Sequence, residues 1–163
     1  MIITGKENPK YVPFIGWDED YIGRSAWDFY SWGHIALGIA SFLLLSLLIT
    51  VPEYLRQKAL IPWWLIIVIV IILLLIWEFV ENVILWRLGW KFEDRQDSLA
   101  NFIWDMVFGI TSALTMWLMK WIIMDRYNAK GRWFYIAGAV LFGIVLVAYV
   151  IGYGIYKSKN KNK

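Results

Sequence analysis

Four long apolar stretches, separated by short polar connectors, account for most of the chain. They run over about 31–51, 62–86, 97–124 and 134–156. Each reaches the roughly 20 residues that a helix needs to cross about 30 Å of hydrocarbon. Tryptophan and tyrosine are concentrated near the ends of these stretches, a distribution that membrane–water interfaces favour. The pattern predicts an all-α, polytopic membrane protein with four transmembrane helices and an interfacial N-terminal segment.

The two ends of the chain differ in composition from the apolar stretches. Residues 1–30 mix aromatic and acidic side chains, so we expect this segment to lie on the membrane interface or to pack on the bundle. Residues 157–163 form a basic tail whose lysines are expected to contact anionic headgroups. The four-helix transmembrane domain is then 31–156. The acids of the first segment, including Asp28, and the run Glu93–Arg95 are expected to be solvated.

Composition and charge narrow the class of protein further. The chain has 163 residues, of which 60% are hydrophobic, and a mean hydropathy of +0.55. It has no cysteine, which excludes disulfides and thiolate metal sites. The net charge of +3 comes largely from the C-terminal lysines, so nucleic acid is not an expected partner. Lysine and arginine are more numerous on the side of the two termini, which predicts a cell-membrane protein with both termini in the cytoplasm.

Polar or ionisable residues interrupt the first three apolar stretches, where each charge costs several kcal/mol unless it faces protein or a wet cavity. They are His34, Glu78, Glu81, Asn82, Asn101 and Asp105. Because successive spans alternate in direction, all six fall at one level near the N-terminal side of the membrane. The sequence therefore predicts a shared intramembrane polar site.

The spacing of these residues places them on single helix faces. The polar residues of the second stretch follow i, i+3, i+4, and those of the third follow i, i+4, i+8 with Asp97 as the first member. His34 shares a face with Gly38 and Ser41, whose small side chains let another helix approach closely. These faces are expected to pack against one another.

Carboxylates from two helices and one imidazole suit a divalent metal ion, Mg²⁺, Mn²⁺ or Zn²⁺. The candidate ligands are His34, Glu78, Glu81 and Asp105. The candidate catalytic groups are Glu78 and Asp105, and the supporting polar residues are Asn82, Asp97 and Asn101. A bound ion at this depth could hold a lipid phosphate or activate a water molecule.

A purely structural interpretation is also open for the same residues. The acids could pair with one another, with Arg87 or Arg95, or with another subunit, and only fix helix packing. Asp97 is expected to cap the third helix, because a carboxylate accepts hydrogen bonds from first-turn amides.

Three segments carry a family resemblance. They are Asp28-Phe-Tyr-Ser-Trp-Gly-His34-Ile-Ala-Leu-Gly38, Trp77-Glu78-Phe-Val-Glu81-Asn82 and Asp97-Ser98-Leu-Ala-Asn101-Phe-Ile-Trp-Asp105. Over residues 28–119 the chain resembles an uncharacterised family of small bacterial integral membrane proteins, and it is more loosely similar to the VanZ-like membrane proteins. The connector after Asn82 is shorter here than in those relatives. The resemblance implies that the polar residues act as a unit, and it implies no reaction.

Three classes of function remain open from the sequence. The first is a membrane protein whose polar site binds metal and acts on a lipid or isoprenoid headgroup, with its catalytic status undecided. The second is a non-catalytic accessory subunit of a larger membrane complex, whose partners would be other membrane subunits. The third, a small transporter or proton path, is disfavoured because no second polar layer is expected on the opposite side of the membrane.

Overall fold

The computed structural model describes residues 11–91 and 95–160, and they form an all-helical bundle. The four long helices are α1 (Phe29–Tyr54), α2 (Trp63–Phe79), α3 (Leu99–Lys120) and α4 (Gly131–Asn160). Helices α2 and α3 continue directly into π-helical segments, Val80–Leu85 and Trp121–Arg126 respectively. Each of the four resulting helices is long and apolar enough to cross a membrane. The predicted four-helix architecture is confirmed, and it fits a multi-pass membrane protein.

Helix α1 begins earlier than predicted because Asp28 caps it. The Asp28 carboxylate accepts a hydrogen bond from the Tyr30 amide at 2.8 Å, and the Ser31 hydroxyl accepts one from the Asp28 amide at 3.2 Å. This reciprocal pair is a capping box, with serine in place of the usual glutamate or glutamine. Asp28 is fully buried, so the expectation that it is solvated was wrong.

Helix α1 also ends later than predicted. The first apolar stretch was placed over about 31–51, directly before Pro52, but this proline lies inside the last turn of the helix. Proline lacks the N–H that would bond the carbonyl of Leu48. The backbone amide of Leu60 donates to that carbonyl instead, at 3.1 Å, so the connector returns to satisfy it. The helix therefore continues to Tyr54 without leaving this acceptor unpaired.

Helix α1 is the centre of the bundle, and it packs against α2, α3 and α4. Gly38 is in contact with α3, where a methyl group in its place would collide with the Gly109 backbone and the Ser112 hydroxyl. This close approach confirms the expected role of the small residues. It matters for the site because His34 and Asp105 lie one turn away from these two glycines, on the same parallel pair of helices.

Helices α2 and α4 lie on different sides of α1. Within the described ranges their Cα atoms nowhere come within 8 Å of each other. A groove over α1 is left between them.

The described part of the N-terminal segment, residues 11–28, packs over the end of the bundle where α1 and α3 begin. Ile22 and Ser25 are fully buried. The Ser98 amide donates to the carbonyl of Gly23 at 2.7 Å, and the Ser98 hydroxyl donates to the carbonyl of Arg24 at 2.8 Å. This segment is therefore tied to the first turn of α3.

The opposite end of the bundle also contains buried polar groups, which the sequence analysis did not expect. The Tyr135 hydroxyl lies 2.8 Å from the Ser46 hydroxyl and 2.6 Å from the Thr50 hydroxyl. Lys120 bonds both carboxylate oxygens of Asp125, at 2.8 and 2.7 Å. A second polar layer, whose expected absence disfavoured a transport path, is therefore present at this end.

Candidate functional site

Residues from three helices meet around His34, near the start of α1. Its Nδ1 lies 3.5 Å from Glu78 Oε1, and its Nε2 lies 3.7 Å from Asp105 Oδ2 and 3.8 Å from Glu81 Oε2. All four side chains are buried. The predicted convergence of His34, Glu78 and Asp105 is observed.

The local helix geometry explains how α2 contributes so many polar groups. Glu78 lies in the last turn of the α-helical part, whereas Glu81 and Asn82 belong to the π-helical segment. Such wide turns occur frequently at functional sites. All three side chains face the interior, as their sequence spacing predicted.

His34, Glu78 and Asp105 could together hold a metal ion. Each offers one ligand atom, and these atoms all lie within 4.8 Å of one another. His34 Nδ1 and Glu78 Oε1 face each other, and neither has a hydrogen-bond partner among the described residues although both are fully buried. Buried polar atoms are rarely left unpaired, so these two indicate room for a ligand.

The contacts around His34 are longer than those of the surrounding network. Ser31 donates to Asp105 Oδ1 at 2.9 Å, and Asn82 donates to Glu78 Oε2 at 3.1 Å. The distances from the imidazole to the carboxylates exceed the usual 2.7–3.2 Å of an N–H···O bond. Asp105 and Glu78 are thus each held by a hydrogen bond to the outer oxygen, the one directed away from His34 (Oδ1 and Oε2). The inner oxygen of each (Oδ2 and Oε1) points towards His34 without a hydrogen bond to it.

Lys91 is the main functional candidate that the sequence analysis missed. This buried ammonium lies 2.5 Å from Asp97 Oδ2, 3.0 Å from Asn82 Oδ1 and 3.7 Å from Glu81 Oε1. Asp97 was expected to cap α3, and that was wrong. Asp97 binds Lys91, and the Ser98 hydroxyl accepts the hydrogen bond from the Asn101 amide at 3.1 Å.

Neither of the two arginines that were considered as partners for these acids pairs with Glu78 or Asp105. Arg87 is exposed. Arg95 is buried, contrary to the prediction that it is solvated, and its side chain donates to the backbone carbonyls of Ile22 and Glu19. Among the described residues, no lysine or arginine lies within 4.0 Å of Glu78 or Asp105.

A second layer connects the site to the N-terminal segment through Asp28 and Asn101. The Asn101 side chain donates to the carbonyl of Ser25 at 2.8 Å and to Asp28 Oδ2 at 3.4 Å. Burial, aided by the nearby charge of Asp97, raises the pKa of Asp28 to about 6, although amide hydrogen bonds from Gly23 and Tyr30 oppose this rise. Asn101 therefore supports the site from outside and does not reach His34.

A cavity of about 430 Å³ opens beside the site between α1, α2 and α4. His34, Glu81 and Lys91 line its polar end, and the rest of the lining is almost entirely apolar or aromatic.

The fold and site together define a four-helix membrane protein with a buried His/carboxylate cluster at one end. A scan against protein-family models and searches of curated proteins and of solved structures found no match. The resemblance to an uncharacterised family of small bacterial integral membrane proteins, and more loosely to VanZ-like membrane proteins, stays a prediction.

Proposed function

We propose that this membrane protein binds a divalent metal ion through His34, Glu78 and Asp105, and that the bound ion engages a lipid headgroup. The observation that carries the proposal is the pair of buried, facing atoms without hydrogen bonds, His34 Nδ1 and Glu78 Oε1. Hydration or another polar ligand could also satisfy these atoms, but the charge around them favours a cation. Two carboxylates that have no lysine or arginine within 4.0 Å in the described part of the chain lie within reach of the same point.

The donor set limits the identity of the ion. One imidazole nitrogen and two carboxylate oxygens suit Mn²⁺ or Zn²⁺, and Mg²⁺ would depend more on water and substrate oxygens. Glu81 is the candidate fourth ligand, although its other oxygen faces Lys91. A divalent ion at such a site can polarise a phosphoryl oxygen or lower the pKa of a bound water.

The protein's own residues would then position the metal ligands and handle protons. Ser31 and Asn82 fix the outer oxygens of Asp105 and Glu78, which orients the inner oxygens before the ion binds. Glu81, next to the cavity, is the carboxylate that a headgroup would meet first. Glu78 and Asp105 remain the candidate catalytic groups.

The test is metal content and metal-dependent stability of the detergent-purified protein. We expect about one divalent ion per chain by elemental analysis, and a melting temperature that falls on chelation and recovers with Mn²⁺ or Zn²⁺. At a free ion concentration 100 times Kd, binding stabilises the fold by about 2.7 kcal/mol.

Glu78→Gln and Asp105→Asn should each lower metal occupancy and abolish the metal-dependent part of the stability. Glu53→Gln is the matched control, because Glu53 is an exposed acid at the other end of α1. If the wild type contains no metal and both site variants keep full stability, the cluster is a structural network and the proposal fails.

An accessory subunit is the second candidate function, and a surface depression on α3 favours it. A shallow cavity of about 350 Å³ is lined by Leu114, Trp117, Leu118 and Trp121. Concave aromatic surfaces are suited to protein contacts. Under this proposal, mild detergent extraction recovers a defined membrane partner, and Trp121→Ala releases that partner without changing metal content.

A further inference from the structure

The groove between α2 and α4 has a polar end and an apolar end, and this asymmetry points to its ligand. We infer that the groove binds a lipid phosphate with a single apolar chain, with its phosphate beside His34 and Lys91 and its chain along α1. The inference rests on the proposed function, because it names the lipid that the metal site would engage.

The shape of the groove fits one chain. Its floor on α1 includes the small residues Gly33, Ala36 and Ala40, with Leu37 among them. Its walls are aromatic and aliphatic side chains of α2 and α4, among them Trp77 and Phe142. The volume of about 430 Å³ lies near the lower end of the roughly 300–1,000 Å³ typical of ligand sites. The groove therefore suits a single chain better than the two chains of an ordinary phospholipid.

The direction of the groove matches the orientation of a lipid in one leaflet. Lys91 and Trp90 lie in the connector at the end of the bundle, and they line the groove at its polar end. From His34 to Ala40 the floor descends about 9 Å at 1.5 Å per residue towards the membrane centre. A bound amphiphile would thus keep its headgroup at interface depth while its chain runs into the hydrocarbon region.

The charges at the polar end indicate that binding of a lipid phosphate depends on the metal ion. Glu78, Glu81 and Asp105 surround His34, and the lysine that lines the groove, Lys91, is already engaged by Asp97. An anionic headgroup would be repelled by these carboxylates unless a divalent ion offsets them. We therefore expect a lipid phosphate to bind only in the presence of the metal, since phosphate oxygens commonly complete such coordination.

The test measures binding of oleoyl lysophosphatidic acid to the detergent-purified full chain, by equilibrium dialysis with and without Mn²⁺. Oleoyl lysophosphatidylcholine tests the need for a phosphate monoester, and dioleoyl phosphatidic acid tests the need for a single chain. We expect lysophosphatidic acid to bind at least tenfold more tightly than either comparator, and chelation to remove that preference.

A groove variant separates this inference from the metal proposal. Ala40→Phe places an aromatic ring in the groove, and Ala139→Phe makes the same change on an exposed position of α4. We expect Ala40→Phe to weaken lysophosphatidic acid binding at least tenfold while metal content and melting temperature stay unchanged. Ala139→Phe should bind like the wild type.

Three outcomes would overturn the inference. They are equal binding of the three lipids, wild-type binding by Ala40→Phe, and tight lysophosphatidic acid binding that chelation does not affect. In the first two cases the proposed function still stands if the wild type binds metal and Glu78→Gln lowers the metal content. If elemental analysis instead finds no metal in the wild type, and Glu78→Gln and Asp105→Asn keep full stability, the proposed function fails together with the metal-dependent headgroup site.

Discussion

The two ends of the bundle both bury charged groups, but they compensate the cost of burying charge differently. At the far end, Lys120 bonds both oxygens of Asp125, and its ammonium lies 4.5 Å from the centre of a Trp63 ring. Asp125 has 45% of its side chain exposed, so water completes its solvation. The buried Lys120 is thus paired with one half-exposed acid.

At the N-terminal end, three acids converge on His34 and the nearest lysine serves only one of them. Lys91 lies 3.7 Å from Glu81, whereas Glu78 and Asp105 have only the imidazole as a basic group within 4.0 Å among the described residues. The comparison shows that burial of charge alone does not indicate a site. A site is indicated when buried carboxylates have no cation to offset their charge and atoms that face one another have no hydrogen bond, because the fold then needs a ligand or a proton to offset the charge.

The strongest test of this contrast removes the cation at each end. Lys91→Met should destabilise the protein by about 3–5 kcal/mol, because it leaves the buried Asp97 and the neighbouring Glu81 without their cation. Lys120→Met should cost about 1 kcal/mol or less, since Asp125 can turn towards water. Thermal unfolding in one detergent measures both. Equal losses at the two ends would contradict the contrast.

The next test uses pH and Asp28, which lies just outside the first span. Its pKa is raised from 3.8 to about 6, so the native state holds this proton more tightly than the unfolded chain does. The associated stability is therefore fully present below about pH 4 and is lost as pH rises through 6. The difference corresponds to roughly 3 kcal/mol.

Asp28→Asn should remove that component, because the amide oxygen can still cap α1 and carries no charge. We expect the wild type to lose up to about 3 kcal/mol relative to the variant between pH 4 and 6. The difference between the two melting curves isolates Asp28 from the other buried acids. If the stability of the wild type and of Asp28→Asn changes with pH in parallel, ionisation of Asp28 does not destabilise the folded state.

The architecture could be predicted from the sequence because each span carries its own evidence. Twenty apolar residues identify a span without any knowledge of its neighbours. The inward faces were predictable for the same reason, since Glu78, Glu81 and Asn82 share one helical face whatever they contact. Convergence with His34 followed from the alternating direction of the spans.

The partners of the acids could not be predicted, because they depend on the path of the connectors. Lys91 reaches the site only after a turn at Gly89, whose φ is +67°, and that turn leaves little sequence signal beyond the glycine itself. Asp28 belongs to an acidic segment that resembles a solvated one, and its burial depends on Gly23 and Asn101, which come from different parts of the chain. Local patterns therefore identified the inner ring of the site and the supporting residues Asn82, Asp97 and Asn101, and missed Lys91 and Asp28.

The remaining tests remove a single hydroxyl group at each end of the bundle. Tyr135→Phe removes the phenol that lies between Ser46 and Thr50 at the far end. Both partners keep another bond, because the Ser46 hydroxyl donates to the Leu43 carbonyl at 2.7 Å and the Thr50 hydroxyl donates to the Ser46 carbonyl at 3.1 Å. We therefore expect a loss of about 0.5–1.5 kcal/mol and unchanged metal content.

Ser31→Ala is the matched change at the N-terminal end, and it should cost more. The Ser31 hydroxyl donates to Asp105 at 2.9 Å and accepts from the Asp28 amide, so its removal leaves a carboxylate oxygen and a buried amide without partners. Hydrogen bonds to charged groups contribute about 1.5–3 kcal/mol, and Asp105 would also lose the contact that orients it. Thermal unfolding and elemental analysis of the two variants measure both consequences. If Ser31→Ala keeps full metal content and loses no more stability than Tyr135→Phe, the outer contacts of the acids do not prepare a metal site, and the two ends of the bundle differ in charge but not in function.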